Sequence, residues 1–391
     1  MGLIRPSTGR RKVAFICTSR TQYGRSKLLL KALKAHPKLE LSVVVAGSAL
    51  LPQYGDVMAE MKRDGIEPDE RITMLVEGGS PVAMAKTTGL GLIEFTTAYE
   101  NLQPDYVLIR GDRYEMLAAA IAASYLNRRI AHIEGGDVTG TIDESVRHAI
   151  SKLAHLHFPT NDQSAQRLQR MGEDPRSIHN IGSLDVEYVA SLDFSRKADP
   201  FSAGQKGLGP SFNLQEPYLV VMQHPVTSEY GSGRSILEAT VEAVEKSGMN
   251  TFWFWPNIDA GNDELSKVLR VARENGRLKR THFFRSLPAE AFMGLVQGSS
   301  CFVGNSSAGI KECSYLGVPV VNIGTRQQGR LRSPNVVDVG YEASAIAAAI
   351  QKQCQNGRYA SSTIYFKPDS SRLLADLLAT EEPPVQKRFV E

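Results

Sequence analysis

Three carboxylates stand where a folded chain would use them for proton transfer. Asp112 follows the apolar run DYVLI, within Arg110-Gly111-Asp112-Arg113. Glu134 ends a second such run, within His132-Ile133-Glu134-Gly135-Gly136-Asp137. Asp143 opens a helical pattern that also carries Glu144, Arg147 and His148. An acidic residue directly after a buried strand lies at the sheet edge, within reach of a ligand. Three on successive loops of one edge suit general acid and base work. Their mutual repulsion should raise at least one pKa and keep a proton available near neutral pH. Plainer readings stand beside this one: Asp112 as a helix N-cap, and Asp143 with Arg147 as a helix pair four residues apart.

The second half reads as a phosphate and ribose site. Gly304-Asn305-Ser306-Ser307-Ala308-Gly309 leads from a strand into a helix expected over 310–316, closed by Gly317 and Pro319. Ser306 or Ser307 supplies the N-cap, and the free N–H groups of the first turn suit a pyrophosphate. Glu312, on the first turns of that helix, is placed to accept from both ribose hydroxyls. His224 ends the run YLVVMQH and faces the same crevice, as a phosphate contact or as a structural histidine. Arg326 and Arg330, in GTRQQGR, lie beside it. Near the start, CTSRTQYGRSK lacks G-x-G-x-x-G, so a dinucleotide fingerprint is not supported. It does set Arg20, Arg25 and Lys27 near a helix start, as an anion site or as a solvated basic turn.

These positions presuppose strands that end at them. Strand-like runs fall at 12–18, 41–47, 105–111 and 128–136, and again at 218–224, 250–256, 280–284, 301–307, 318–324 and 335–340. Helical patterns separate them, at 26–36, 115–126 and about 142–155 in the first half. The runs are continuously apolar, as parallel strands buried on both faces are. The alternation implies an α/β protein with two doubly wound, Rossmann-like domains facing a cleft. The expected division is 1–192 for the first domain, 193–216 for a Gly-, Pro- and Ser-rich linker and 217–375 for the second domain. A C-terminal segment, 376–391, returns to the first domain.

Composition removes whole classes. The chain has 391 residues, 42% hydrophobic and 22% charged, with a net charge of +3. That balance argues against a disordered chain and against a general nucleic-acid binder. No apolar run approaches the roughly 18 residues of a membrane span. The run 13–17 after the basic start is too short for a signal peptide, and Pro6 stands where a myristoylation motif on Gly2 wants Ser or Thr. The cysteines, Cys17, Cys301, Cys313 and Cys354, form no Cys-x-x-Cys pair, so neither a zinc site nor a disulfide framework is expected. A cytoplasmic protein without metal or cofactor is the reading.

The motifs together resemble the hydrolysing UDP-N-acetylglucosamine 2-epimerases, the bacterial sialic-acid pathway enzymes and the epimerase half of the animal bifunctional enzyme. The matching stretches are GDRYEMLAAAIAA, HIEGGDVTGTIDESVRHAISKLAHLHF, QHPVT, PNIDAG, GNSSAGIKE and GTRQQGR. The long HIEGG block is the most specific. The resemblance implies the glycosyltransferase-B architecture and a nucleotide-sugar substrate. It implies elimination of the nucleoside diphosphate to a 2-acetamidoglucal, then addition of water with inversion at C2, under a closing cleft. It implies a homodimer or homotetramer. Asp112, Glu134 and Asp143 would be catalytic. Arg20, Gln22, Arg113, Arg147, His224, Asn257, Ser306, Ser307, Glu312 and Arg326 would bind substrate, with Arg20, His224 and Arg326 as cationic groups at the diphosphate.

Three departures accompany it. Gln22 stands where the family usually has an acidic residue, on a loop expected to face the sugar. Asp137 follows the glycine pair where Glu is common, and Arg110 replaces a frequent His. A different hexosamine substituent or a GDP-linked sugar would fit such changes. A glycosyltransferase of the same fold and a non-catalytic nucleotide-sugar binder are the competing readings.

Overall fold

Among the described residues, twelve strands build two parallel six-stranded sheets with the same strand order. The computed structural model describes residues 9–195, 200–201 and 207–390. Residues 1–8, with Gly2 and Pro6, residues 196–199 and 202–206 of the expected linker, and Glu391 lie outside the described residues.

In the first sheet, β1 (Arg11–Cys17), β2 (Leu39–Ala46), β3 (Glu70–Ile72), β4 (Tyr106–Arg110), β5 (Arg129–Ile133) and β6 (Leu156–Phe158) pair in the order β3-β2-β1-β4-β5-β6. In the second, β7 (Tyr218–Met222), β8 (Asn250–Phe254), β9 (Thr281–Phe284), β10 (Cys301–Gly304), β11 (Val320–Ile323) and β12 (Val336–Val339) pair as β12-β11-β10-β7-β8-β9. Every pairing is parallel. Each sheet reverses direction once, between β1 and β4 and between β7 and β10. Ligands bind beyond the strand carboxyl ends at such points.

Burial explains the apolar runs. β4 is buried at all five residues, because both sheet faces are covered. On one face, Val13, Phe15 and Leu108 pack with Leu29, Leu30 and Leu33 of helix Lys27–Ala35. On the other, Ala14, Ile16 and Val107 meet Phe95 and Tyr99 of helix Pro81–Leu102 and the alanines of helix Tyr114–Tyr125. The second sheet is sandwiched likewise between two clusters, one around Trp253 and one around Phe252.

Helix Ser370–Thr380 straddles the 375/376 boundary expected from sequence. It packs whole on the first domain, with Leu374, Ala375 and Leu378 in the core that holds Val13 and Phe15. The Ser183 amide already bonds Tyr365 O at 2.7 Å, so the chain has crossed back before Ser370. No helix among the described residues is long and apolar enough to cross a membrane.

Candidate active site

The first-domain lip is built from the carboxyl ends of β1, β4 and β5. Gly111, in the left-handed region at φ 82°, turns the chain after β4 and presents Asp112. Arg147 donates to the Asp112 carboxylate from behind, and also to the Asp137 carbonyl at 2.9 Å. The Arg147 side chain is 1% exposed, so its charge is spent inside the protein. Burial alone would raise the Asp112 pKa; the Arg147 and Arg330 guanidiniums outweigh it and hold the carboxyl below its ordinary value.

Glu134 follows β5 with φ at 71°, a left-handed conformation uncommon for a side-chain-bearing residue and frequent where backbone strain serves function. One carboxylate oxygen accepts from Arg110 at 2.9 and 3.0 Å, and the other accepts from Lys311 Nζ at 2.5 Å. Burial opposes ionisation, yet Lys311 and Arg110 prevail and hold this carboxyl well below the usual carboxylate range.

Asp143 lies in the first turn of helix Ile142–Leu153, whose N-cap Thr141 accepts from the Asp143 amide at 3.3 Å. Among the described residues its carboxylate has no ion pair: Arg147, the partner that helix spacing suggests, is committed to Asp112. Burial, then the Asp112 and Asp259 carboxylates, push the Asp143 pKa up to about 6 against Arg326 and Arg113. The rise expected from mutual repulsion is therefore present at this carboxyl, with desolvation as its larger cause.

The second-domain lip faces it. His224 follows β7, and its Nδ1 accepts from the Asn257 amide at 3.2 Å, which leaves Nε2–H as a donor toward the cleft. Burial, then Arg326, push this imidazole down to about 3, so it is a neutral donor and not the cation expected from sequence. Asn305 ties the lip together, its side chain bonding both the amide and the carbonyl of His224. Ser306 caps the four-residue helix Ser307–Ile310, accepting from Ala308 at 3.3 Å. The single helix expected over 310–316 is broken at Lys311, where a second helix, Glu312–Leu316, begins. That break turns Lys311 toward the first domain.

Ion pairs close the two lips. Lys311 meets Glu134, Arg25 meets Glu312 at 2.6 Å, Arg113 meets Asp259 at 2.9 Å, and Arg330 approaches Asp137 at 3.6 Å. Behind them, Asp185 gathers Arg110, Arg25 and Lys311. Several polar atoms remain buried without a hydrogen-bond partner beside this seam, among them Arg20 Nη1, Gln223 Oε1 and Glu312 Oε2. Among the described residues no cluster of His, Cys, Asp and Glu is arranged to hold a metal ion.

Placement departs from the sequence reading at several residues. Gln22 does not present free polar atoms to the cleft: its Oε1 accepts from the Thr18 amide at 2.9 Å and hydroxyl at 3.1 Å, and its Nε2 donates to the Arg110 carbonyl at 3.0 Å. It ties β1 to β4, a task that needs a donor and an acceptor on one side chain. Arg147 sits behind Asp112 instead of in a binding position. Arg113 is engaged by Glu115 and Asp259. Glu312 is fully buried against Arg25, so a ribose reaches it only after that pair is exchanged. Lys311, Asp185 and Asp259 were not singled out in the sequence. Their signal is faint there, since Lys311 and Asp259 lie inside motifs already explained by serines and by Asn257.

A family model described as UDP-N-acetylglucosamine 2-epimerase matches residues 31–379. The UDP-N-acetylglucosamine 2-epimerase of Neisseria meningitidis serogroup B is 31% identical over 387 residues, covering 97% of this chain and 99% of that one. The UDP-N,N'-diacetylbacillosamine 2-epimerase (hydrolyzing) of Legionella pneumophila is 32% identical over 370 residues, covering 95% and 96%. The solved structure of the Neisseria meningitidis UDP-GlcNAc 2-epimerase bound to UDP-GlcNAc aligns with a TM-score of 0.75 over 95% of this chain and 100% of its own, at 17% identity, and shows the shared fold.

Proposed function

The chain belongs to the UDP-N-acetylglucosamine 2-epimerase family, and from that premise we propose that this nucleotide-sugar 2-epimerase works hydrolytically, releasing a free 2-acetamido sugar inverted at C2. The observation that carries the reading is the meeting of three carboxyls at one cleft, two of them against cations and Asp143 without an ion pair among the described residues. Burial and the neighbouring carboxylates raise the Asp143 pKa to about 6, so it holds its proton further toward neutral pH than Glu134 and Asp112, which their cations keep ionised. Such a division assigns acid and base to separate groups.

In the first step an ionised carboxylate takes the C2 proton, the C1–O bond to the diphosphate breaks, and C1=C2 forms. The leaving group carries the developing negative charge. Arg326, Arg20, the neutral His224 donor and the Ser306 lip are the groups available to stabilise it. In the second step the water oxygen bonds C1 and gives the proton it sheds to an ionised carboxylate of the cleft, while the C1=C2 pair takes a proton at C2 from the opposite face, a role that fits Asp143. Closure by the ion pairs keeps the glycal from solvent between the steps.

The substrates to test are UDP-N-acetylglucosamine and UDP-N,N'-diacetylbacillosamine, named for the relatives, and their GDP counterparts. Proton NMR in D₂O decides the matter. Free sugar carrying deuterium at C2, with nucleoside diphosphate, supports the reading. A C2-inverted sugar still linked to its nucleotide points to the non-hydrolysing reaction and defeats it.

A second copy of the chain is the proposed partner. Helix Pro81–Leu102 leaves Val82 at 63% and Ile93 at 64% exposure, with Leu90 between them, an apolar stripe that self-association would cover. The four cysteines are all free, in keeping with a reducing compartment such as the cytoplasm.

A further inference from the structure

The residues after Thr380 cross the end of the first sheet remote from the cleft, pinned strand by strand. Arg11, the first residue of β1, donates to the Leu378 and Glu381 carbonyls, each at 2.6 Å. Tyr106, the first residue of β4, donates its hydroxyl to Glu381 O at 2.8 Å. Arg129, the first residue of β5, donates to Pro383 O at 2.7 Å, and His155, just before β6, bonds Val385 O at 2.8 Å. Those four strands are neighbours in that order. The segment is a strap across their amino ends.

The strap ends in a partly buried cation. Lys387 Nζ donates to the Lys152 and Ala154 carbonyls at 2.8 Å each and to Glu173, which also binds Lys152 at 2.7 Å and His157 at 2.9 Å. The Val390 amide then bonds Gly172 O at 3.1 Å. The carbonyls that Lys387 satisfies are at the open end of helix Ile142–Leu153. An ammonium there supplies the missing donors and complements the helix dipole. The other end of this helix carries Asp143, and Arg147 lies one turn further on.

We propose that Lys387 is a positioning residue for the reaction: from the C-terminal strap it fixes the axial place of helix Ile142–Leu153 and so the places of Asp143 and Arg147 in the cleft. The inference rests on the reading of Asp112 and Asp143 as reacting groups. The helix has twelve residues, a rod of about 18 Å, so a slip at its carboxyl end is felt at its amino end. Asp143 faces Asp112 and Arg113 from the loop after β4, Asp259 from the loop after β8, and Arg326 from the loop after β11. A displaced helix changes all four distances and admits water.

Lys387→Met keeps the side-chain stem and removes the charge and the donors. The expected result is a fall in kcat of about tenfold or more with KM changed by less than about twofold, because misplacement of a reacting group acts on the chemical step. Hydrogen exchange in peptides covering 142–155 should quicken by about threefold or more. The Asp143 carboxyl, followed by carbon NMR, should titrate lower than in the wild type, since desolvation is the largest cause of its rise. Arg129→Met loosens the strap elsewhere and should leave the helix exchange unchanged. If Lys387→Met does not fold, Lys387→Arg, which restores a cation, should fold and give exchange and titration near wild type. Unmoved exchange and an unmoved Asp143 titration overturn the inference whatever the turnover. A wild type that turns over no nucleotide sugar, with both readouts moved by the variant, upholds the positioning and overturns the functional reading alone.

Discussion

Lys311 of the second domain and Arg110 of the first hold the two oxygens of one carboxylate, Glu134, from opposite sides of the cleft. The pair with Lys311 is both an electrostatic clamp on a proposed base and a stitch between domains. Lys311 is 1% exposed, so neither role is shared with solvent.

Lys311→Met should therefore lower kcat/KM by about 10²-fold, the scale for losing one preorganised charged group at a reacting centre. Its sign in pH follows from the clamp. Lys311 lowers the Glu134 pKa, so its removal raises that pKa, and the acid limb of kcat/KM moves to higher pH. A pH–rate profile checks both. An acid limb that stays in place would deny Glu134 the role of base.

Much of this site was legible because motif residues fall at strand ends, and strand ends are visible as breaks after apolar runs. Asp112, Glu134 and His224 lie there for that reason. The partners were not legible. Asp185 and Lys311 come next to Glu134 only through the packing of two domains, and no spacing in the chain encodes it. Helix Pro81–Leu102 also escaped the sequence reading. Gly89, Gly91 and four threonines lower its intrinsic propensity, and a Cβ at Gly91 would meet Met74 Cε at 2.3 Å and Ala118 Cβ at 3.3 Å. β3 and β6 have three residues each, too few to show a period.

Asp143 ties stability to pH with a definite sign. Its folded pKa of about 6 lies above the ordinary 3.8, so the folded state holds the proton more tightly than the unfolded chain. Stability from this group is fully present below about 3.8 and is lost as pH rises through about 6. Asp143→Asn removes that dependence. The variant should match the wild type in Tm at acid pH and exceed it at neutral pH, while kcat falls by about 10²–10⁴-fold. Thermal melts across pH would contradict the buried-acid assignment if the two curves ran parallel.

Arg147→Met should destabilise the fold by about 3–5 kcal/mol, the usual result of leaving one member of a buried ion pair alone. Arg147 serves Asp112, the Asp137 carbonyl and the Thr139 hydroxyl together, so Arg147→Lys should recover only part of the loss. Denaturant titration measures both variants. A loss in nucleotide affinity without a loss in stability would return Arg147 to the binding role.

Gln22→Glu tests the departure from the family's acidic residue. The amide now accepts from Thr18 and donates to the Arg110 carbonyl. A carboxylate keeps the first bond and sets two acceptors against each other at the second. The variant should lose about 1–3 kcal/mol of stability, the cost of an unsatisfied buried group. Its ratio of kcat/KM between plain and 4- or 6-modified sugar nucleotides should stay near that of the wild type. A shift in that ratio would restore the substrate-facing role that sequence suggested.

His224 should act as a neutral donor throughout the physiological range. Two causes push the same way: burial disfavours the imidazolium, and Arg326 repels it. The Asn257 amide occupies Nδ1, which fixes the proton on Nε2 and aims it at the cleft. Nitrogen NMR of histidine-labelled protein should then show one protonated and one unprotonated ring nitrogen, with no titration between about pH 5 and 8. His224→Phe keeps a ring of similar size without the donor, and UDP affinity should fall by about 1.5–3 kcal/mol, the range for a hydrogen bond to a charged group. His224→Asn, which can offer an N–H, should recover part of it. A calorimetric titration in which all three proteins bind UDP equally would remove His224 from the phosphate site and leave Arg326 and the Ser306 lip to carry the anion.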